Sequence, residues 1–384
     1  MILPGATLGV LGGGQLGRMF TAAALTMGYD VIVLDPDPES PAGRIATEHV
    51  DADYADAAAL DYLGRTCAAV TTEFENVPAA TLETLARHCV VRPDAKAVAI
   101  TQDRIREKTF LRDNGFATAR FAVVHSKTDL SEAIRNVGLP AILKVARLGY
   151  DGKGQVRIDD TDDALRAWDT VKREPCILEQ LLPLDTEVSV VLARGADGVI
   201  ACWPVGENTH RNGILDITVV PARIDASVAR DAAAAAQQIA AKLDYVGVMA
   251  VEFFVSNGVL RVNEVAPRPH NSGHFTLDAC VTNQFEQQVR VLCGLPLGDT
   301  RLLSPIVMVN LLGDLWRGDN APSWVPLLAQ PAAKLHLYGK RQARPGRKMG
   351  HYSVLASTTE QALTQARAIQ QALTNATVGY AQTP

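Results

Sequence analysis

Short apolar runs alternate with amphipathic stretches through the N-terminal quarter of the chain. Thr7–Leu11, Val31–Leu34 and Ala68–Thr72 are almost wholly apolar or β-branched, as strands buried on both faces are, whereas Leu16–Met27 and Thr81–His88 repeat apolar residues at helical spacing. This alternation predicts a doubly wound parallel α/β unit. From about Thr101 the pattern changes. A charged helix over Gln102–Asn114 stops at Gly115. A small unit follows, with strands at Phe121–Val124, Ile142–Val145, Val156–Ile158 and Cys176–Leu181 and helices at Leu130–Val137 and Asp162–Val171. Beyond Pro183 the runs Glu187–Leu192, Val248–Val255 and Val259–Val265 read as an antiparallel sheet, with an alanine-rich helix Ser227–Leu243 before the last pair. The tail is predicted to carry strands at Ile306–Leu312, Lys334–Tyr338 and Tyr352–Leu355 and a closing helix at Glu360–Leu373.

Composition narrows the classes. The 384 residues are 47% hydrophobic and 21% charged, a globular profile, and 37 basic against 42 acidic residues give a net charge of −5. That balance argues against a broad basic face for nucleic acid or a membrane surface. No stretch reaches the ~18 apolar residues of a membrane span, and the start lacks the basic segment of a signal peptide. The six cysteines (Cys67, Cys89, Cys176, Cys202, Cys280, Cys293) follow no disulfide or zinc spacing and suit a reducing cytoplasm.

Three segments carry chemistry. Gly12-Gly13-Gly14-Gln15-Leu16-Gly17 satisfies G-x-G-x-x-G between a strand and a helix, with Asp35 closing the next strand. That pattern suits a dinucleotide, a different phosphate at the helix N-terminus, or merely a tight turn. In the second segment, Lys144 stands inside an apolar strand ahead of the loop Gly149-Tyr150-Asp151-Gly152-Lys153-Gly154-Gln155. A strand lysine wants an anion, and glycine amides with Lys153 can close over phosphates, although the spacing is not that of a P-loop. Glu179-Gln180-Leu181-Leu182 ends the strand expected alongside, where a carboxylate and main-chain groups could meet an adenine edge, and Glu187 could hold ribose hydroxyls. The third segment is the hairpin around Asn257-Gly258. A three-residue turn Ser256–Gly258 would set Glu252 opposite Val262, with Glu252 and Glu264 diagonal on one face, roughly 7–8 Å apart. Two carboxylates aimed into one space call for a cation, and magnesium on nucleotide phosphates suits them.

Together these segments resemble the ATP-grasp superfamily. Within it the chain is similar, nearly end to end, to the N5-carboxyaminoimidazole ribonucleotide synthetases of purine biosynthesis. The match includes G-V-L-G-G-G-Q-L-G-R-M (9–19), T-E-F-E-N-V (72–77), Q-D-R (102–104), G-Y-D-G-K-G-Q (149–155), E-N-x-H (207–210), N-E-V-A-P-R-P-H-N-S-G-H (263–274) and H-L-Y-G-K…R-P-G-R-K-M-G-H (336–351). The resemblance implies an ATP-grasp fold with a pre-ATP-grasp α/β domain (1–101), an ATP-grasp domain (102–295, lid about 117–182) and a β-rich C-terminal domain for the substrate phosphate (296–384). It implies a cytoplasmic homodimer that uses ATP and magnesium (manganese as a substitute) to carboxylate aminoimidazole ribonucleotide with bicarbonate through carboxyphosphate. By carry-over, Arg104, Lys144, residues 149–155, Glu179–Leu182, Glu187, His210, Asn263 and Glu264 would hold ATP, and Glu252 and Glu264 the metal. Tyr150, Asp151, Lys153, Arg268, His270 and His274 would surround the chemistry. Gln15, Leu16, Glu73, Asn76, Asn271 and Ser272 would line the second substrate's pocket, and Lys340, Arg347 and Lys348 would clamp its phosphate.

The rivals fit less of the chain. A formate-dependent glycinamide ribonucleotide transformylase is the nearest sibling, and a biotin carboxylase lacks support because no biotin-carrying M-K-M segment is present. An NAD-dependent oxidoreductase leaves residues 144–155, 179–187 and 252–264 without a role. A nucleotide-binding regulator without chemistry has no use for the carboxylate pair. His270 and His274 stand four apart, but Pro269 and Gly273 disfavour a helix and no HExxH glutamate lies between them, so a zinc site is not expected.

Overall fold

The computed structural model of this protein describes residues 1–149, 152–318 and 320–379. The N-terminal strands β1 (Thr7–Leu11), β2 (Asp30–Leu34), β3 (Glu48–Val50), β4 (Ala69–Thr72) and β5 (Val90–Val91) form one parallel sheet in the order β3-β2-β1-β4-β5. Helices cover both faces, as the doubly wound pattern requires. On one face, α1 (Gln15–Thr26) buries Leu16, Phe20 and Ala24 with Phe285 and Val289 of a later helix. On the other, α2 (Ala57–Thr66) and α3 (Ala79–Leu85) bury Leu60, Leu63, Leu82 and Leu85. The sequence pattern missed β3, β5 and α2. The two strands have only three and two residues, too few to show a period. Next come α4 (Ala95–Thr101) and α5 (Arg104–Asp113), capped by the side chains of Asp94 and Asp103.

The lid is an antiparallel sheet of β6 (Phe121–Val124), β7 (Ala141–Val145), β8 (Gln155–Ile158) and β9 (Cys176–Gln180), in the order β6-β9-β7-β8. Its helices α6 (Lys127–Val137) and α7 (Asp163–Thr170) bury Leu130, Ala133 and Trp168 against Leu143 and Leu178 on one face. Side chains alternate along a strand, so Lys144 and Glu179 point to the opposite face.

The largest sheet has nine strands, all antiparallel: β10 (Thr186–Arg194), β11 (Ile200–Cys202), β12 (Gly206–Arg211), β13 (Ile214–Val220), β14 (Gly247–Ser256), β15 (Val259–Ala266), β16 (Ile306–Leu312), β17 (Ala333–Leu337) and β18 (Lys348–Leu355). Its order is β15-β14-β10-β12-β13-β16-β18-β17, with β11 on β10, so the C-terminal strands extend the central sheet through the β13–β16 pairing. Of the helices beside it, α8 (Ala226–Lys242) covers Val190, Met249 and Val251. After it come the short α9 (Thr276–Ala279), α10 (Gln284–Leu292), whose Phe285 and Val289 meet α1, the short α11 (Val325–Leu328), and α12 (Thr359–Gly379), packed on β16 and β18.

Two expectations need correction. The hairpin turn has two residues, not three: Ser256 faces Val259, and Asn257 and Gly258 take positive φ of 51° and 72°, as a tight hairpin of that length demands. A bulge between Phe253 and Glu252 then absorbs Asn263 and sets Glu252 directly opposite Glu264, not opposite Val262. The last strand also begins at Lys348, four residues earlier than Tyr352, so this lysine belongs to the strand.

Candidate active site

The bulged hairpin brings two carboxylates into cross-strand register, and helix α5 braces them. Arg104 donates Nη1 to Glu264 Oε2 at 2.9 Å and Nη2 to the Gly149 carbonyl at 3.3 Å, linking the metal candidate to the base of the glycine loop. One residue past Glu264, the Val265 amide donates to Glu107 Oε1 at 2.5 Å. Burial, then the Glu264 charge, pushes the Glu107 carboxyl up to about 8. Glu252 is pushed up to about 7, again by burial first and Glu264 second. It is met by Asn263 Nδ2 at 3.5 Å and His270 Nε2 at 3.4 Å. The donor set suits a divalent cation better than it suits two bare carboxylates.

Across the cleft, the strand lysine has a partner that the sequence did not reveal. Lys144 Nζ and Lys108 Nζ, the latter at 2.5 Å, bind opposite oxygens of Glu179, and Lys108 and Glu179 are 1% and 2% exposed. Burial alone would raise the Glu179 carboxyl, but the two ammonium groups hold it at about 2. Glu179 is therefore committed to two lysines rather than to an adenine edge. The amides of Gln180 and Leu181 are likewise taken, by the carbonyls of Arg120 and Pro140. One carboxylate between two ammonium groups leaves a net positive charge, and phosphate is a natural answer to it. Lys144 and Gln155 are register partners, and the Val145 amide donates to Gly154 O at 2.8 Å, closing the loop's base. Gly152 and Gly154 adopt positive φ of 75° and 72° there. Tyr150 and Asp151 lie outside the described residues. Glu187 Oε2 meets His210 Nδ1 at 3.1 Å; burial would lower the imidazole, but this bond raises it.

The first glycine loop is already capped from within. Gly14 and Gly17 donate their amides to the two oxygens of Glu73, both at 2.6 Å, and Gly13 donates to Asp35 Oδ2 at 2.6 Å. Tyr54 Oη donates to the same Asp35 oxygen at 2.7 Å. The amides that would grip a dinucleotide's pyrophosphate, and the acid that would grip its ribose, are thus engaged by protein. Leu16 faces the core at 8% exposure, so its side chain is not a ligand contact. Gln15, beside it, accepts from Lys340 Nζ, which also donates to the Lys348 carbonyl at 2.8 Å.

That bond brings the basic tail to the rim of the glycine loop. Arg44 Nη1 reaches the Gly339 carbonyl at 3.3 Å and Arg18 Nη1 the Pro41 carbonyl at 2.9 Å, two cations that the sequence did not single out. Arg347 donates to the Gln342 carbonyl at 2.8 Å. The other wall comes from the 268–274 segment. Asn271 is 5% exposed, and neither polar atom of its side chain has a partner among the described residues. Ser272 does not face a ligand: its hydroxyl accepts from Ser189 Oγ at 2.8 Å and meets His270 Nδ1 at 2.9 Å. Burial, then Arg268, holds His270 well below its ordinary value, so the ring is neutral. His274 is fully buried, bonded to Gln284 and 4.9 Å from the His351 ring, which places it behind the pocket and not at the chemistry. Asn76 lines a narrow cleft with Arg104, Gly149 and Glu264.

Among the described residues, Asp278, His336 and His351 offer ligand atoms within 4.8 Å of one another. The two rings stack at 4.5 Å and 12°, so their in-plane lone pairs run side by side and cannot converge on one ion at about 2 Å.

Comparison with known proteins bears on this site as a whole. The ribonucleotide synthetase pre-ATP-grasp domain matches residues 5–102, the ATP-grasp domain residues 109–285, and the phosphoribosylaminoimidazole carboxylase C-terminal domain residues 306–365. An N5-carboxyaminoimidazole ribonucleotide synthase from Brucella melitensis is 44% identical over 359 residues, covering 93% of this chain and 98% of that protein. The ADP complex of an N5-carboxyaminoimidazole ribonucleotide synthetase superposes with a TM-score of 0.90 at 41% identity, over 96% of this chain and 97% of that one. The Aspergillus clavatus enzyme, solved with ADP and 5-aminoimidazole ribonucleotide, superposes at 0.87 with 30% identity over 96% and 98%.

Proposed function

Because this chain belongs to the N5-carboxyaminoimidazole ribonucleotide synthase family of ATP-grasp ligases, we propose that it carboxylates 5-aminoimidazole ribonucleotide with bicarbonate at the expense of ATP. The observation that carries this reading is the presence of two separate anion-seeking regions in one chain. One is the Lys108–Glu179–Lys144 triad with the glycine loop; the other is the basic rim at Gln15 and Lys340. The Aspergillus relative was solved with an adenine nucleotide and the ribonucleotide together.

The triphosphate lies against Lys144, the loop through Gln155, and Arg104, with ribose at Glu187 and His210. Glu252, Glu264 and Asn263 fit a magnesium ion, since a directly opposed pair of carboxylates facing the cleft, one raised to about 7, is relieved by a divalent charge. When bound, magnesium neutralises charge on the phosphate oxygens. Bicarbonate is a poor electrophile because hydroxide would have to leave. Phosphorylation gives carboxyphosphate, from which phosphate leaves when the amine attacks, directly or through carbon dioxide. Arg268 faces that electrophile, and Asn271 offers its amide to the ribonucleotide. The segments 1–101, 102–295 and 296–384 serve as pre-ATP-grasp, ATP-grasp and substrate-phosphate regions. A homodimer in the cytoplasm follows from the family resemblance, and no described helix is long and apolar enough to cross a membrane.

Phosphate release from ATP should require bicarbonate and rise sharply with aminoimidazole ribonucleotide. Stimulation instead by formate with glycinamide ribonucleotide would favour the transformylase reading. Lys340→Ala should raise the Michaelis constant for the ribonucleotide by roughly ten- to a hundredfold, since a charge-assisted bond to phosphate contributes roughly 1.5–3 kcal/mol. The constant for ATP should stay within about twofold. Titrating both substrates on this variant and on Arg347→Ala checks the assignment, and an equal rise for ATP would move the tail to the nucleotide.

A further inference from the structure

Glu75 joins three parts of the site. It lies between β4 and α3 on the loop that also carries Glu73 and Asn76. Glu73 turns back to the glycine loop, whereas Glu75 crosses to the end of β15 and grips Arg268 through both carboxylate oxygens. Nε of Arg268 donates to Oε2 and Nη2 to Oε1, the latter at 3.2 Å, and Nη1 donates to the Pro269 carbonyl at 3.2 Å. Both side chains are largely buried, at 16% exposure for Arg268 and 22% for Glu75. Burial would raise the Glu75 carboxyl, but Arg268 holds it below its ordinary value. The main chain of the same loop is held by Gln102, whose Nε2 donates to the Glu75 carbonyl at 3.2 Å. Gln102 in turn accepts through Oε1 from Arg147, which stands between the strand lysine and Gly149.

A forked carboxylate fixes the plane of a guanidinium as a single acceptor cannot. We propose that Glu75 is a positioning residue: it aims Arg268 at the carboxylating centre and ties use of ATP to the presence of the amine substrate. The proposal rests on the carboxylation reading, in which Arg268 faces the electrophile. With the fork intact, the loop beside the amine, the guanidinium beside the electrophile and the base of the lid move as one unit. Without it, carboxyphosphate forms before the amine is in place. It then splits to carbon dioxide and phosphate, as the bond from carbon to the bridging oxygen breaks and its electron pair leaves with the phosphate. ATP is spent and no product is made.

Glu75→Gln keeps one acceptor oxygen but loses the fork and the charge; Glu75→Asp keeps the charge on a shorter arm. Phosphate released per carboxylated ribonucleotide should be near one in the wild type, at least about threefold higher in Glu75→Gln, and intermediate in Glu75→Asp. The Michaelis constant for bicarbonate should rise about tenfold in Glu75→Gln, and that for ATP should stay within about twofold. Melting temperature and ADP affinity, read on the same samples, should be near wild type. If both variants keep a ratio of one with an unchanged bicarbonate constant, Glu75 does not position Arg268. If the ATP constant rises in step and the melting temperature drops, Glu75 is only a structural prop, and the proposal is equally overturned. A wild type that turns over ATP without carboxylating the ribonucleotide would instead remove the parent reading, and this one with it.

Discussion

Glu264→Gln is expected to cut turnover at least about a hundredfold with the fold intact. Removing even an outer partner of a metal ligand typically costs 10–100-fold, and on the proposed reading a ligand charge itself is lost. The substituted amide keeps an oxygen for Arg104, which donates to the wild-type carboxylate at 2.9 Å, so the link from α5 to β15 survives in weaker form. Glu252→Gln should be similarly inactive, and its stability should reveal why the carboxylate is strained. Its folded pKa, about 7, lies above the unfolded value near 4.5, so between these limits the native state binds the extra proton. Stability of the nucleotide-free protein therefore falls as pH rises from about 4.5 to about 7. Glu107, raised to about 8, extends the same trend. In Glu252→Gln the fall between about 4.5 and 7 should be roughly halved, leaving the part due to Glu107, and the variant should melt higher than wild type at pH 8. Thermal melts across pH 5–8 with steady-state rates at one pH check both halves. Near-normal turnover, or an unchanged pH slope, would mean that the two carboxylates do not share one charged space.

The second large effect is on stability. Glu179→Leu should lower the melting temperature by on the order of ten degrees, because breaking a buried ion pair costs roughly 3–5 kcal/mol. The loss strands two ammonium groups at once, with Lys108 1% and Lys144 9% exposed. Lys108→Met in the same chain should recover part of it, since the leftover charge is then halved. ATP affinity should not recover, because Lys144 stays without the carboxylate that orients it. A single variant that melts within about two degrees of wild type would show that Glu179 holds neither lysine.

The sequence displayed the elements whose burial is complete on one stripe or on both faces, such as β1, the lid strands and the long hairpin. It placed Glu252 and Glu264 on one face but missed their direct opposition, because the bulge at Asn263 depends on how β15 meets its neighbours. The glycine loop was ambiguous for a different reason. What decides it is Glu73, 59 residues from Gly14, and no local pattern carries that contact. Glu107 and Lys108 were hidden in a helix that reads as solvated charge. Yet both share a buried face of α5 with Leu111, and that spacing was a usable signal. Arg268 was visible in its motif; the fork from Glu75, 193 residues away, was not.

The central claim is tested most directly by following carbon from ¹³C-labelled bicarbonate. With ATP, magnesium and aminoimidazole ribonucleotide, the label should appear as a carbamate on the ribonucleotide's amine, with one phosphate released per labelled product. Omitting ATP should abolish the signal. Phosphate release that proceeds without any labelled ribonucleotide, or label that appears without ATP, would contradict the account.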